Sequence, residues 1–383
     1  MAVRQRENDV ELWVAAGTEA GDDRGMLMTC QAGYENYLGR ELEDTGGRVV
    51  ERGPGWVLVS REACASSNSE DPTVNAQTPV GALLTKGRSV GPDLAFAHRG
   101  LIEPVEIVGE SVNALAQRVA EFFLASLQGE RVEAAWPCMW AGPQEIVGLG
   151  RRVSAVEAAF GELLKKRLSR VARLAVKELP HGVVGEARGL FVYFTDFRRA
   201  FVARTAWSGG QRRMADDAFA PSRSFLKIEE AYGVLGREPA IGETIADLGA
   251  APGGWSYSAA KRGARVIAVD NGPLKGGALG HALIEHRRED AFGFRMAAGA
   301  KADWMFCDLV DEPHHVLRGI VAPWLEGAWC RRFVVNLKFG RVDPVALLRE
   351  TRGVIDKNTS SFCIRHLYHD REEFTVVGET RGQ

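Results

Sequence analysis

From Ile245 to Ser256 the chain reads Ile245-Ala246-Asp247-Leu248-Gly249-Ala250-Ala251-Pro252-Gly253-Gly254-Trp255-Ser256. An apolar run of strand length breaks into glycines and passes into helix-forming sequence. Glycines in such a loop let the backbone turn tightly and approach a ligand, and in open α/β sheets ligands bind beyond the carboxyl ends of the strands. The spacing is not that of a dinucleotide-binding loop. Ala251 stands where the second glycine would be, and Pro252 has no backbone N–H to give a pyrophosphate. S-adenosylmethionine (SAM) carries no phosphate and does not need those amides. Asp247, Gly249, Ala251, Pro252, Gly253, Gly254 and Trp255 are therefore expected to line a SAM site. A nicotinamide oxidoreductase is disfavoured, and a glycine turn that binds nothing is the bland alternative. Asp270 ends the next apolar run, where a carboxylate can accept both hydroxyls of a ribose; a turn-capping role is the alternative. Asp290 falls where a third strand would end and could accept from the adenine amino group, or simply face solvent.

These residues need a sheet to position them. Arg265–Asp270, Trp304–Asp308 and Phe333–Leu337 are apolar runs separated by helix-length segments, which predicts a mainly parallel sheet covered on both faces. Ser361–Tyr368 and Phe374–Val377, joined by His369-Asp370-Arg371-Glu372, read as a final antiparallel hairpin. The N-terminal half differs. A strand from Met26, a helix carrying Tyr34, Tyr37, Leu38 and Leu42, and strands near Arg48–Arg52 and Trp56–Ser60 make a small βαββ unit. A second α+β region follows over about 90–210, with helices around Val112–Phe123 and Val156–Val171 and strands at Val183–Val184, Leu190–Thr195 and Ala200–Ala206. Residues 1–25 are a polar extension, or lie upstream of a start at Met26. Residues 65–79 are a polar, serine-rich loop.

The 383 residues are too many for one ordinary core, and 45% hydrophobic with 26% charged residues is a globular composition. No apolar run approaches the roughly 20 residues of a membrane span, and the N-terminus does not read as a signal peptide, so cytoplasm is the expected compartment. Six cysteines without a C-x-x-C pair argue against a zinc ribbon or a disulfide framework. A formal charge of −2 gives no general grip on nucleic acid; binding would need a local basic patch.

The loop Asp247–Trp255 resembles the SAM loop of the FtsJ-like ribose 2′-O-methyltransferases. That family carries a Lys-Asp-Lys-Glu tetrad, and Lys227, Asp308, Lys338 and Glu373 occur here in that order. Ala220–Ser224, Asp270–Pro273, Asn336–Lys338 and Leu367–Glu373 resemble the branch of the family that acts on a cytidine of 23S rRNA. The resemblance is specific over about 218–378 and topological over 26–210. It implies a ferredoxin-like domain at 26–90, a THUMP-like RNA-binding domain at 91–212 and a Rossmann-like methyltransferase domain at 218–383. It also implies 2′-O-methylation of 23S rRNA or a large-subunit precursor, with SAM as methyl donor, no metal, no membrane and a monomer as the expected state. Under it, Lys338 is the base, with an orienting donor as the alternative role, Lys227 and Asp308 position the 2′-OH, Glu373 orients Lys338, and Ser224 meets the methionine end of SAM, with Asp308 also beside the cofactor. Ala251 departs from a common Cys, and the segment from Lys227 to Asp247 is short.

RNA contact is expected at Arg151, Arg152, Lys165, Lys166, Arg167, Arg170 and Arg173, and at Arg204, Arg212, Arg213 and Arg223, where few acids intervene. A solvated helix face is the alternative for the first group. His366 and His369 near Asp370 lack an evident third metal ligand. The competing function is a catalytically silent RNA-binding or assembly factor that retains the fold.

Overall fold

The computed structural model describes residues 24–60, 93–127, 129–179, 184–297 and 300–381. The expected extension up to residue 23, the polar loop at 65–79 and Val183 lie outside these residues. The N-terminal unit begins β1 (Arg24–Thr29), α1 (Glu35–Asp44), β2 (Val49–Gly53) and β3 (Trp56–Ser60), the expected βαββ order. Leu38 and Leu42 of α1 are fully buried, each stabilising the fold by about 1.5–3 kcal/mol relative to exposure. Next come β4 (Arg99–Ile102), β5 (Val105–Val108), α2 (Val112–Leu127), β6 (Trp136–Ala141), α3 (Leu149–Arg167), α4 (Ser169–Leu174), β7 (Ala175–Val176), β8 (Gly185–Phe194) and β9 (Arg199–Ser208). Ser111 caps α2 by accepting from the Ala114 N–H at 3.1 Å. The long helix expected through Val171 breaks at Leu168, whose backbone is not helical. The strands form one nine-stranded sheet in which β4 lies between β1 and β9, so 26–90 and 91–212 meet along β1 and β4 with Leu27 opposite Leu101.

The C-terminal unit contains α5 (Phe225–Leu235), β10 (Thr244–Leu248), α6 (Gly254–Lys261), β11 (Arg265–Val269), β12 (Ile284–Arg287), β13 (Ala302–Cys307), α7 (Pro313–Val316), α8 (Ala322–Glu326), β14 (Cys330–Lys338), α9 (Pro344–Ile355), β15 (Thr359–Arg365) and β16 (Glu373–Thr380). Its seven-stranded sheet has the order β12-β11-β10-β13-β14-β16-β15. The first five strands are mutually parallel, and β16 inserts antiparallel between β14 and β15. The sheet matches the expected parallel core and closing hairpin. The segment between β11 and β12 corrects the expectation of helix-length connections: it holds only a three-residue 3-10 turn at Gly276–Ala278. Its Asn271-Gly272-Pro273, Gly276-Gly277 and Gly280 supply turns rather than a helix. No helix of the described residues is long and apolar enough to cross a membrane.

The two units share an apolar core that runs from Met28, Leu38 and Phe96 to Phe333, Val335 and Phe374. At its edge α1 lies on α9. Glu41, 1% exposed, accepts from the N–H groups of Ala95 and Phe96 and pairs with Arg352 at 2.9 Å. Arg40 pairs with Asp343 at 2.7 Å, while Asp343 caps α9 through the Ala346 N–H. The N-terminal unit also grips the β15–β16 loop. The His366 N–H donates to Ala95 O at 2.7 Å, the Tyr34 hydroxyl donates to Arg371 O at 2.6 Å, and His98 Nε2 lies 3.0 Å from His366 O.

Candidate active site

The glycine loop leaves β10, the strand at which chain direction across the sheet reverses: β11 and β12 follow on one side, β13 and β14 on the other. Such a reversal opens a crevice at the carboxyl edge. Gly249 has φ +79°, and a Cβ there would lie 2.5 Å from Leu309 Cδ2. Gly253 has φ +107°, and its Cβ would meet that of Ala278 at 2.5 Å. Both positions require glycine. Asp247 is buried behind the loop, where it accepts from Ser256 Oγ at 2.6 Å; burial pushes its carboxyl up to about 7. Trp255 is also buried, its indole N–H donating to Ser224 O at 2.9 Å. These two residues hold the loop from behind rather than line the crevice. Asp270 accepts from the Ala251 N–H at 3.0 Å and the Gly272 N–H at 2.6 Å, each through a different oxygen. Each oxygen keeps a second lone pair for a further donor. Asp290 lies three residues beyond β12, exposed, its side chain accepting from the Phe292 N–H at 3.1 Å. Ser222 Oγ is buried without a hydrogen-bond partner beside Gly254.

The four charged residues converge. Lys227 stands in the first turn of α5, Asp308 follows β13, Lys338 ends β14 and Glu373 opens β16. Register makes Lys338 and Glu373 direct cross-strand partners, with Asn336 opposite Thr375. Lys227 Nζ lies 2.6 Å from Glu373 Oε1 and 3.7 Å from Asp308 Oδ1. Lys338 Nζ hydrogen-bonds Asp308 Oδ1 and lies 3.8 Å from Glu373 Oε2. The close partner of Glu373 is thus Lys227, and that of Lys338 is Asp308. Ser224 sits at the N-cap of α5, yet its hydroxyl donates to Asp308 Oδ2 instead of capping the helix. Burial lowers the Lys227 pKa, but Asp308 and Glu373 outweigh it and the net shift is upward. Lys227 is therefore held as an ammonium.

Three supporting residues escaped the sequence reading. Asn336 accepts from Lys338 Nζ at 3.3 Å and donates to Asp370 Oδ1 at 3.1 Å. Asp370 is buried and also accepts from the Leu367 N–H and the Thr375 hydroxyl; burial drives its pKa well up. Glu230, inside α5, accepts the N–H groups of Arg212, Tyr368 and His369, and burial pushes it up to about 8. The alternation of Asn336 and Lys338 along one strand face was a usable signal. The histidines are spent on structure: His366 Nε2 lies 2.8 Å from Arg371 O, and His369 Nε2 accepts from the Met214 N–H at 2.8 Å. The tetrad opens onto a cleft of about 1120 Å³, walled by Gln31, Arg223, Tyr368 and Arg371 among others.

The expected basic patch is divided. Arg204 is tied to Gly189 O, Ser126 Oγ and Glu130, and Arg152 donates to the carbonyls of Phe197 and Glu110. Lys166, Arg167, Arg170 and Arg173 are exposed on α3 and α4, and Arg213 and Arg223 are exposed beside the cleft.

Sheet order, glycine loop and converging charges define the C-terminal unit as a methyltransferase-like α/β domain, and the family model described as FtsJ-like methyltransferase matches residues 220–314. Ribosomal RNA large subunit methyltransferase M of Halorhodospira halophila is 40% identical over 361 residues, covering 92% of this chain and 96% of that protein. Proteins of the same name from Laribacter hongkongensis and Thauera aminoaromatica are 35% and 29% identical, covering 92% of this chain and 95% of each relative. The chain belongs to the ribosomal RNA large subunit methyltransferase M family.

Proposed function

We propose that the chain is a SAM-dependent 2′-O-methyltransferase of 23S rRNA, with a cytidine ribose as target. The single observation that carries this function is the meeting of Lys227, Asp308, Lys338 and Glu373 beside the glycine loop. The fit to SAM rests on the glycine cradle that any Cβ would fill, the open lone pairs of Asp270 and the unpartnered Ser222 hydroxyl. Asp270 would take the ribose hydroxyls, Asp290 the adenine amino group, and Ser224 and Asp308 the methionine end. Bound SAM supplies a methyl group on a sulfonium, a carbon open to in-line displacement.

The chain must deliver a ribose oxygen to that carbon and remove its proton. The 2′-O–H bond breaks as the new O–C bond forms. Lys227, kept charged by its carboxylates, holds the ribose oxygen as a hydrogen-bond donor. Lys338, 23% exposed and facing the cleft, receives the proton, with Asp308 beside it to stabilise the resulting ammonium. Glu373 fixes Lys227, and the Asp370–Asn336 pair fixes Lys338. The THUMP-like 91–212 unit, packed beside the ferredoxin-like 26–90 unit, binds the RNA through the exposed arginines of α3 and α4, with Arg213 and Arg223 continuing the contact at the cleft rim.

The test is methyl transfer from labelled SAM to 23S rRNA lacking ribose methylation, with product mapping, for the wild type and Lys338→Ala. A 2′-O-methylcytidine lost in the variant is expected; label on a base, or equal activity in the variant, sinks the proposal.

A further inference from the structure

A second cavity, of about 410 Å³, lies where the N-terminal sheet meets the β15–β16 loop. Gln31 and Tyr368 line both this cavity and the catalytic cleft, so the two spaces adjoin. Its wall carries Arg99, on β4 opposite Thr29 of β1. The Nε of Arg99 is buried without a hydrogen-bond partner, and no carboxylate of the described residues pairs with the guanidinium. A half-buried guanidinium whose Nε is shut off from water without a counter-charge is unfavourable unless something else supplies the charge. Arg365, a buried arginine at this junction, has such a partner in Asp93 at 2.6 Å. Arg213, exposed, lines the same cavity and lies over the Tyr368 ring at 5.8 Å. Two arginines, two tyrosines and two glutamines thus bound a space of ligand size that adjoins the catalytic cleft.

We infer that this cavity is a subsite for a nucleotide of the substrate RNA next to the target ribose, its phosphate held by Arg99. A guanidinium forks onto phosphate oxygens through paired N–H donors, which fits the unspent Nε. Glu145, on the same wall, offers an acceptor for a base amino group. A strand that places one ribose at Lys338 and its neighbour here is splayed between two pockets, the usual manner of reading single-stranded RNA. The assignment rests on the RNA-methylating function proposed above.

The experiment uses the full chain and a 23S rRNA transcript. Affinity for RNA, its salt dependence, methyl-transfer kinetics, SAM affinity and Tm are measured for the wild type, Arg99→Gln and Arg99→Met. Kd and KM for RNA should rise about tenfold, and the log–log salt slope should become shallower by about 0.7 for one lost phosphate on a single strand. Tm should hold or rise, since an uncompensated cation is removed, and SAM affinity and kcat should stay at the wild-type level. On the wild type, a transcript carrying 4-thiouridine should photocrosslink to peptides containing Tyr193 or Tyr368. Unchanged RNA affinity and slope in both variants, or a lowered Tm with parallel loss of SAM binding, overturns the subsite while leaving the methyltransferase function standing. A wild type that binds SAM but neither binds nor methylates RNA overturns both.

Discussion

Replacing Lys227 by Met separates the electrostatics of the tetrad from its chemistry. The Lys227 and Glu373 side chains are 11% and 8% exposed, so their 2.6 Å contact is shielded from water. With Lys227 gone, the next nitrogen to Glu373 is Lys338 Nζ at 3.8 Å, already engaged with Asp308. Removing one partner of a buried ion pair costs about 3–5 kcal/mol, whereas replacing both by apolar groups of similar volume is often neutral or better. Lys227→Met should therefore lower stability by about 3–5 kcal/mol and Tm by on the order of 10 °C. Glu373→Leu should cost less, because Lys227 retains Asp308 at 3.7 Å. The double variant should recover most of the loss of Lys227→Met. The assay is urea unfolding of all four proteins, read as a double-mutant cycle, with methyl transfer alongside. All three variants should be inactive, although the double variant is nearly as stable as the wild type. Additive losses, or a Lys227→Met cost below about 1 kcal/mol, would refute the shielded pair.

Asp270→Ala should weaken SAM binding at least about tenfold, since it removes a ribose acceptor and frees the Ala251 and Gly272 N–H groups; calorimetry should show Lys338→Ala binding SAM like the wild type. Gly253→Ala should lower Tm and SAM affinity together, because φ is +107° and the new methyl meets Ala278 at 2.5 Å; full affinity at wild-type Tm would contradict the cradle. His98 is held neutral in the fold, its pKa lowered to about 3 chiefly by burial, against about 6.5 when unfolded. Its contribution to stability is present above 6.5 and is lost as pH falls toward 3. His98→Gln should flatten the pH dependence of unfolding free energy in that window by up to about 1.4 kcal/mol per pH unit; parallel curves for the two proteins would count against a neutral buried ring.

The chain announces those parts of the site that follow from one strand and the turn after it. Asp247–Trp255 reads as strand, glycine turn and helix because apolar run, φ-permissive residues and helix formers follow one another locally. Asp308, Lys338 and Glu373 are legible as charges at the ends of apolar runs. Their pairing is not, because it depends on β16 inserting antiparallel beside β14 and setting Glu373 against Lys338. Glu230 looks like any helix glutamate until residues well over a hundred positions later fold back onto it. The β11–β12 connection misleads for a different reason: its length suits a helix, but its glycines and Pro273 do not, and composition outweighs length. The pairing of β4 with β1 is likewise a long-range event: β2 and β3 intervene, and the four residues Arg99–Ile102 are too few to show a strand period.

The β15–β16 loop gives the N-terminal unit a part in holding the site, beyond the RNA binding proposed for it. Asp370 and Glu373 reach the tetrad from this loop and its exit, where the Leu367 N–H donates to Asp370 and the Arg371 N–H to Glu373, and contacts from both sides hold the loop itself. Glu230 holds its backbone from the α5 side through the N–H groups of Tyr368 and His369. Tyr34, Ala95 and His98 hold it from the N-terminal side, at Arg371 and His366. Under the proposed function a lysine meets a ribose oxygen at hydrogen-bond distance and tolerates little misplacement, since an error of about 1 Å can cost on the order of a hundredfold in rate. The N-terminal sheet thus fixes, through a few buried contacts, the loop that sets Lys338 and Lys227. The subsite proposed near Arg99 lies on the same junction, which places RNA contact and the support of the tetrad on one element without making either depend on the other.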